Sequence, residues 1–337
     1  MPTNIGNGRE RCSDTIYLDS LAQARNLPEP VLQSTIQDTR KALQRRAFRK
    51  KYSVPLHVNL AELRNEREQY YRNGIYCAER IEQGVDGRLR THYCNGRLCP
   101  ICQAIRTAKG INKYLPAIQS FADPYFLTLT RRTVQGEHLR PTIRQMKGEF
   151  SLINDLARKN GKVHGLRKLE VIYNGETGLY HPHFHMILDG EEVASFVLKE
   201  WLKRNRFSAH RDAQELQAIE PGDSTGIRKL FGYITKLVTE VEEEKIPVPS
   251  EALDVIVAAL FNSRTLQPYG SLIQAARDTE KIKATDVEAY ETPYGFTIGK
   301  WILWEWEQRL ATWVDKQTGA LLVEPPTEKI RVKNNRF

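Results

Sequence analysis

The chain has 337 residues, of which 40% are hydrophobic and 27% charged. This balance excludes a disordered or fibrous protein and allows a sizeable core in two or three units. No apolar run reaches the roughly 18 residues of a membrane span, and the polar N-terminus has no signal-peptide core, so a soluble cytoplasmic protein with no membrane partner is expected. The formal net charge of +9 favours an anionic partner such as nucleic acid, although a solvated basic surface gives the same sum.

In chain order, Leu18–Arg25 and Pro30–Tyr52 predict helices in a first segment ending near Ser53. Within it Arg40–Lys51 is the densest basic run, suited to a phosphate backbone or simply to a solvated helix face. Glu62–Tyr71 predicts a helix, and Ile81–His92 short strand-like pieces around glycine turns. Tyr125–Thr130 is β-branched and aromatic and predicts a strand. Ile143, Met146, Phe150, Ile153 and Leu156 fall at helical spacing within Arg140–Lys159. Lys168–Tyr173 predicts a strand, Asn174–Gly178 a turn, and His181–Leu188 a strand antiparallel to the one before it. Val193–Lys203 predicts a helix, Glu215–Ile219 a strand, and Gly226–Val241 a helix carrying Tyr233 and Lys236. This order suits an α+β sandwich, one antiparallel sheet with helices packed against it. Val241–Pro249 reads as an acidic loop or linker, Glu251–Phe261 as an amphipathic helix, and the Trp-rich Gly299–Val314 as a packed helix or a strand pair. Thr327–Phe337 is a charged tail.

Four of the five cysteines, Cys77, Cys94, Cys99 and Cys102, lie in one short stretch. In a chain without a secretion signal this clustering suggests metal rather than disulfides. Cys99 and Cys102, with two residues between them on a turn stiffened by Pro100, can reach one Zn²⁺, and two thiolates from a preceding hairpin complete a tetrahedron. His92 is the competing fourth ligand. Four thiolates leave no open position, so the zinc would be structural. Cys12 has no assigned role.

His181-Pro182-His183-Phe184-His185 is the most specific feature of the chain. Residues two apart on a strand share a face. His183 and His185 can therefore offer imidazole nitrogens to one ion, while Phe184 points into the core. Three alternating histidines fit poorly in an apolar core, where unpaired polar groups are costly. Two imidazoles with a carboxylate suit Mn²⁺ or another divalent ion with open positions for substrate oxygens. Glu170, on the partner strand of the hairpin, is the candidate third ligand. His181 shares the ligand face and would lie behind the ligands or contact DNA.

Tyr233 and Lys236 occupy GYITK, a spacing that puts both on one face of a helix. A phenol is a poor nucleophile at its ordinary pKa of about 10, and a nearby ammonium and a metal-bound phosphate make its attack easier. Most of the chain's 14 tyrosines must be packing or surface residues, so this pattern gains weight only beside the histidine strand.

Together these landmarks resemble the single-tyrosine rolling-circle plasmid replication initiators (Rep proteins) of the HUH endonuclease superfamily, over about Cys77 to Gly270. The resemblance is carried by CNGRLCPIC, FLTLT, HPHFH, the YxxK pair and the later FNSRTLQPYGSL. It implies an HUH nuclease domain with a ferredoxin/RRM-like core, a zinc-binding module, and helical N- and C-terminal additions. The corresponding division is a helical N-terminal region (1–60), zinc module (61–120), nuclease domain (121–245) and C-terminal helical extension (246–337). It further implies nicking of an origin strand with Mn²⁺ or Mg²⁺, a Tyr233 5′-phosphotyrosine, and a later transfer that closes the circle. The implied partners are single-stranded and duplex origin DNA, with a host helicase and a homodimer as further candidates. Thr128 and Thr130 match the first strand motif and would floor the site, or equally be ordinary strand residues. One departure stands out: Lys229 occupies the position where such proteins often carry a glutamate used in termination, with Asp223 and Glu240 as neighbouring acids. Two other readings share these residues. One is a transposase or relaxase of the same superfamily. The other is a non-catalytic zinc-dependent DNA-binding regulator in which Tyr233 is packing.

Overall fold

The protein is described here by a computed structural model covering residues 29–83, 89–159, 163–220, 227, 230–232, 236–241, 244–275, 277 and 302–325. Leu18–Arg25, Cys12, Asp223, Lys229, Tyr233 and the Thr327–Phe337 tail lie outside the described residues. The described elements run α1 (Glu29–Ala61), α2 (Glu68–Ile75), β1 (Arg80–Gln83), β2 (Leu89–Thr91), α3 (Pro100–Gln119), β3 (Pro124–Thr130), α4 (Gly136–Ala157), β4 (Gly165–Tyr173), β5 (Tyr180–Asp189), α5 (Glu191–Arg204), β6 (Glu215–Ala218), β7 (Val238–Val241), β8 (Glu244–Pro247), α6 (Ser250–Leu260), β9 (Leu266–Tyr269), β10 (Ile302–Glu307) and β11 (Thr312–Asp315). They fall into two units, residues 1–102 with 296–334, and residues 103–295 with 335–337. Among the described residues no helix is long and apolar enough to cross a membrane.

In the first unit α1 continues past Ser53 and through Pro55. Its buried positions Leu43, Ala47, Lys50, Ser53, His57, Leu60 and Ala61 recur at helical spacing, so one stripe holds the helix to its neighbours. Lys50, from the basic run, points inward. Its Nζ donates to the carbonyls of Cys77 (2.9 Å) and Ile75 (3.3 Å) and pairs with Glu79 (2.7 Å). Arg40, Lys41, Arg45 and Lys51 of the same run are exposed. The His57 ring occupies the place a side chain at residue 74 would take; a Cβ there would lie 1.9 Å from it, so only Gly74 lets α1 and α2 approach this closely. The helix expected from Glu62 begins only at Glu68, after a turn.

The C-terminal region was expected to be a helical extension, and this is corrected. Its described residues form the helix α6, a short helical run at 271–275 and strands, and the Trp-rich segment takes the strand-pair alternative. β10 and β11 join β1 and β2 in an antiparallel sheet ordered β11-β10-β1-β2. Trp306 and Trp313 meet edge to face at 4.9 Å, and Trp313 Nε1 donates to Ala78 O at 2.8 Å.

In the second unit β3-α4-β4-β5-α5-β6 follow one another, and the sheet order is β6-β3-β5-β4-β9, antiparallel throughout. Taking the first four strands as 1 to 4, the order 4-1-3-2 with two helical crossovers is the ferredoxin-like βαββαβ arrangement. Alternation divides the strands between two faces. Leu127, Leu129, Leu169, Val171, Phe184 and Met186 are buried toward α4 and α5, with Phe184 5.9 Å from the rings of both Phe150 and Trp201. Arg167 lies buried between Phe150 and Phe184, its guanidinium 4.7 and 4.4 Å from their ring centres.

The opposite face is half apolar and half polar. Leu166 and Ile187 at one end pack in a cluster with Tyr114, Leu115 and Ile118 of α3, with Phe121 just after it, and with Ile227, Leu230 and Phe231. Thr107 Oγ1 donates to Phe231 O at 2.7 Å, and Gly110 leaves room for the Phe231 ring. The other end of the face carries Thr128, Thr130, Lys168, Glu170, His183 and His185. The helix expected over Gly226–Val241 does not extend that far. Residues 227 and 230 are helical, the chain turns at Phe231, and β-branched Val238, Thr239 and Val241 form β7, paired with β8. Thr239 Oγ1 ties β7 to the β4–β5 hairpin, accepting from Gly175 N and donating to Tyr173 O. The acidic stretch expected as a linker is thus partly a hairpin. Lys236 lies exposed, before β7 and off any helix.

Candidate metal centre

The β4–β5 hairpin builds the site. Its connection is a tight turn in which Asn174 Oδ1 accepts from Glu176 N and Thr177 N (2.9 Å each) and Gly178 takes a φ of +67°. Tyr173 then pairs with Tyr180, which fixes the register Glu170↔His183 and Lys168↔His185. On the other side β3 sets Thr130 opposite His183 and Thr128 opposite His185. Every expected member of the row therefore falls on one face by register alone.

Glu170, His183 and His185 bring one donor atom each to a common point. His183 Nε2 and His185 Nε2 are 3.0 Å apart, and Glu170 Oε2 lies 3.5 Å from His185 Nε2 and 4.0 Å from His183 Nε2. Adjacent donors around an octahedral ion at about 2.1 Å stand about 3.0 Å apart. The imidazole pair already has that spacing, and the carboxylate needs a shift of under about 1 Å. Two imidazoles and one carboxylate suit a divalent ion that keeps open positions. The residues present therefore fit such an ion.

Each donor is held from behind. His183 Nδ1 is 3.1 Å from the carbonyl of His181, which leaves Nε2 bare toward the site. His185 Nδ1 is 3.1 Å from Thr128 Oγ1, which is 3.3 Å from Glu215 Oε2 on β6. Glu170 Oε2 accepts from Lys168 Nζ at 3.1 Å. The His181 ring lies 5.2 Å from that of His183, beside the donors. Thr130 Oγ1 turns to Ala213 O and Gln214 and does not reach the donors.

Electrostatics keep the imidazoles neutral, the form a metal requires. Burial pushes His183 down to about 4, against the pull of Glu170, and burial likewise lowers His185. Burial would raise Glu170, but Lys168, with the two imidazoles, outweighs it and holds the carboxyl below its ordinary value. Lys168 and Glu215 are the participants that sequence reasoning missed. Lys168 carried a signal, standing two residues before Glu170 on the same strand face. Glu215 carried none, because its place depends on the β3–β6 register.

The four cysteines converge in the first unit. Cys77 precedes β1 and Cys94 follows β2, while Cys99 and Cys102 flank the start of α3. Sγ–Sγ separations are 3.5 Å for Cys77–Cys102 and Cys77–Cys99 and 3.6 Å for Cys94–Cys102. A tetrahedron with metal–sulfur bonds of about 2.3 Å has edges of about 3.8 Å, so this set fits one zinc-like ion. Hydrogen bonds among the sulfurs, that with Cys102 first, raise Cys77 and Cys94 and lower Cys99. His92, the competing ligand, is exposed.

What the fold and donors define is a ferredoxin-like α+β protein with a candidate divalent-metal centre and a separate four-cysteine cluster. The comparisons give the family: a model described as Replication protein matches residues 88–292, and the chain belongs to that family. It is 32% identical over 270 residues to a "Protein rep" of Streptococcus pneumoniae serotype 2, covering 71% of this chain and 81% of that one. It is 34% identical over 154 residues to one of Bacillus amyloliquefaciens, covering 42% of each, and 35% identical over 126 residues to one of a Bacillus species, covering 34% of this chain and 41% of the relative. The chain thus spans about two fifths of the length of these last two relatives. No solved structure matches it. The resemblance to Rep proteins is borne out.

Proposed function

We propose that this replication protein is a metal-dependent, site-specific endonuclease and strand transferase acting on single-stranded DNA at a plasmid origin. One observation carries the reading: Glu170, His183 and His185 converge on the polar half of a sheet face whose apolar half anchors Ile227, Leu230 and Phe231, two residues before Tyr233. Mn²⁺ or Mg²⁺ held by the three donors would supply Lewis-acid polarisation of the scissile phosphate. The Tyr233 phenol oxygen bonds to phosphorus and loses its proton; the bond from phosphorus to the 3′ oxygen breaks, and that oxygen takes up a proton. The products are a 5′-phosphotyrosine and a free 3′-OH able to prime synthesis. Attack by a later 3′-OH reverses these steps and rejoins a strand. Lys236 adds positive charge near the phosphate. His183 and His185, neutral and backed by His181 O and Thr128, orient the donors, and Lys168 keeps Glu170 ionised. The four cysteines would hold a structural Zn²⁺, which would leave no position open for substrate.

The test incubates the full chain with Mn²⁺ and single-stranded oligonucleotides spanning candidate origins, then maps protein-linked DNA by mass spectrometry. The expected adduct sits on Tyr233, requires the metal, and disappears in Tyr233→Phe and His183→Ala. DNA binding without an adduct on any origin strand would leave a non-catalytic regulator.

A further inference from the structure

The segment joining α5 to β6 presents an aromatic ring to solvent on a fixed backbone. Phe207 is 78% exposed, the most exposed of the large hydrophobic side chains among the described residues. Single exposed hydrophobics are ordinary on a protein surface. This one sits on a loop stitched at both ends. Asn205 is buried; its side chain donates to Trp201 O at 2.9 Å, and its carbonyl accepts the N–H groups of Ser208 and Ala209 at 2.8 Å each. Arg132 N donates to Ser208 O at 2.7 Å, and Arg131 Nε to Ser208 Oγ at 3.0 Å. Further on, Gln214 donates to His210 O (2.7 Å) and Thr130 Oγ1 (3.0 Å) and accepts from Thr130 N (2.7 Å).

These bonds also place the loop. Thr130 stands opposite His183, and Arg131 and Arg132 are the next two residues of the chain. At about 3.3 Å per residue, the points to which the loop is tied lie within about 7 Å, along the chain, of the row of metal donors. Its chemistry suits a polyanion with flat faces. Residues 203–211, KRNRFSAHR, contain no acid; Lys203 and Arg204 pair with Glu200 and Glu149, so Arg206 and Arg211, both exposed, are the cations it offers. The Arg206 guanidinium lies 4.6 Å from the Phe207 ring centre, a cation already stacked on the ring. A protein partner would be met by a wider apolar patch, whereas Phe207 is flanked by arginine and serine.

We propose that Phe207, with Arg206, is a stacking platform for a base of single-stranded DNA next to the metal centre. The ring takes the face of any base, and Arg206 meets the backbone phosphate, a combination that binds single strands without reading sequence. The platform rests on the reading of the neighbouring centre as one that acts on a DNA strand. It would hold the strand on one side of the scissile phosphate while the donors engage the phosphate itself.

The experiment uses the full chain, without added divalent ion, and a fluorescein-labelled mixed-sequence single strand of about 20 nucleotides, longer than a typical single-strand site. Anisotropy should show Phe207→Ala binding about tenfold more weakly, within the range of one base–aromatic stack, and Phe207→Trp binding at least as tightly as the native chain. The Phe207→Ala loss should persist at high salt, because stacking releases no counterions, whereas Arg206→Gln should flatten the salt dependence by about one ion. A 5-iodouracil strand should crosslink to residue 207. Native affinity in Phe207→Ala overturns the platform, as does an equal loss on duplex DNA. The adduct assay separates the two readings. Adduct formation with normal strand binding in Phe207→Ala sinks the platform alone. Weakened strand binding in a protein that forms no adduct sinks the nuclease alone.

Discussion

Thr128→Val replaces one hydroxyl by a methyl of nearly the same size in a side chain that is 8% exposed. That hydroxyl stands between His185 Nδ1 and Glu215 Oε2, at 3.1 and 3.3 Å. When Nε2 of His185 faces an ion, the ring proton is on Nδ1 and is donated to Thr128 Oγ1, whose own proton goes to Glu215. Valine leaves that N–H facing a methyl group. A stranded polar group in such a setting costs about 1–3 kcal/mol, and groups that hold a ligating histidine from behind are worth about 10–100-fold in metal affinity. At about 1.36 kcal/mol per factor of ten this is about 1.4–2.7 kcal/mol, so the two routes agree. Glu215 is exposed and keeps its water, so its side of the bridge adds little. Titration calorimetry with Mn²⁺ should show a ten- to hundredfold loss in Thr128→Val and recovery in Thr128→Ser. Valine is a good strand residue, so the melting temperature should hold within a few degrees. Native Mn²⁺ affinity in Thr128→Val would refute the bridge, and a collapse of the melting temperature would assign the hydroxyl to the fold.

Two further outcomes follow from buried groups. The unfolded chain protonates His183 near 6.5, while the folded protein resists until about 4, so stability is fully present above about pH 6.5 and drains as pH falls toward 4. That interval corresponds to about 3 kcal/mol for a side chain this buried. Urea titrations without added Mn²⁺ should show the decline, and His183→Leu should flatten it; an unchanged slope would count against the neutral buried imidazole. Cys99→Ser removes a sulfur 3.5 Å from Cys77. Metal analysis should find about one zinc per native chain and well under one in the variant, with loss of cooperative melting; a variant that melts normally without zinc would end the structural-zinc reading.

The candidate site was legible because its donors are local. His183 and His185 share a face by alternation, and a short turn carries β4 back beside them, so Glu170 follows from the hairpin. The βαββαβ order was legible for the same reason, since Ile143, Met146, Phe150 and Ile153 keep helical spacing and Tyr125–Thr130 is β-branched. What failed depended on distant pairing. The stripe that extends α1 to Ala61 contains Lys50, Ser53 and His57, polar residues that look solvated until their partners Cys77 O, Glu79 and Gly74 are known. The Trp-rich segment, left open between a helix and a strand pair, is the strand pair, and the edge it joins on β1 lies more than 200 residues away in the chain. Lys236, expected on a helix, instead precedes a strand whose Thr239 bonds to the β4–β5 turn, a contact with no trace in GYITK.

The turn between Tyr173 and Tyr180 has a consequence for how this protein can vary. Exposed loops ordinarily tolerate insertions and deletions. Here the turn counts residues for the chemistry beneath it. Lengthening or shortening it by one would slide β5 past β4 by a single position and rotate the two imidazoles into the packing around Phe150 and Trp201, bringing Phe184 out in their place. Beyond Asn174 and Gly178, which shape the turn, the constraint on this solvent-facing stretch is therefore its length, which cannot change by an odd number, more than its letters.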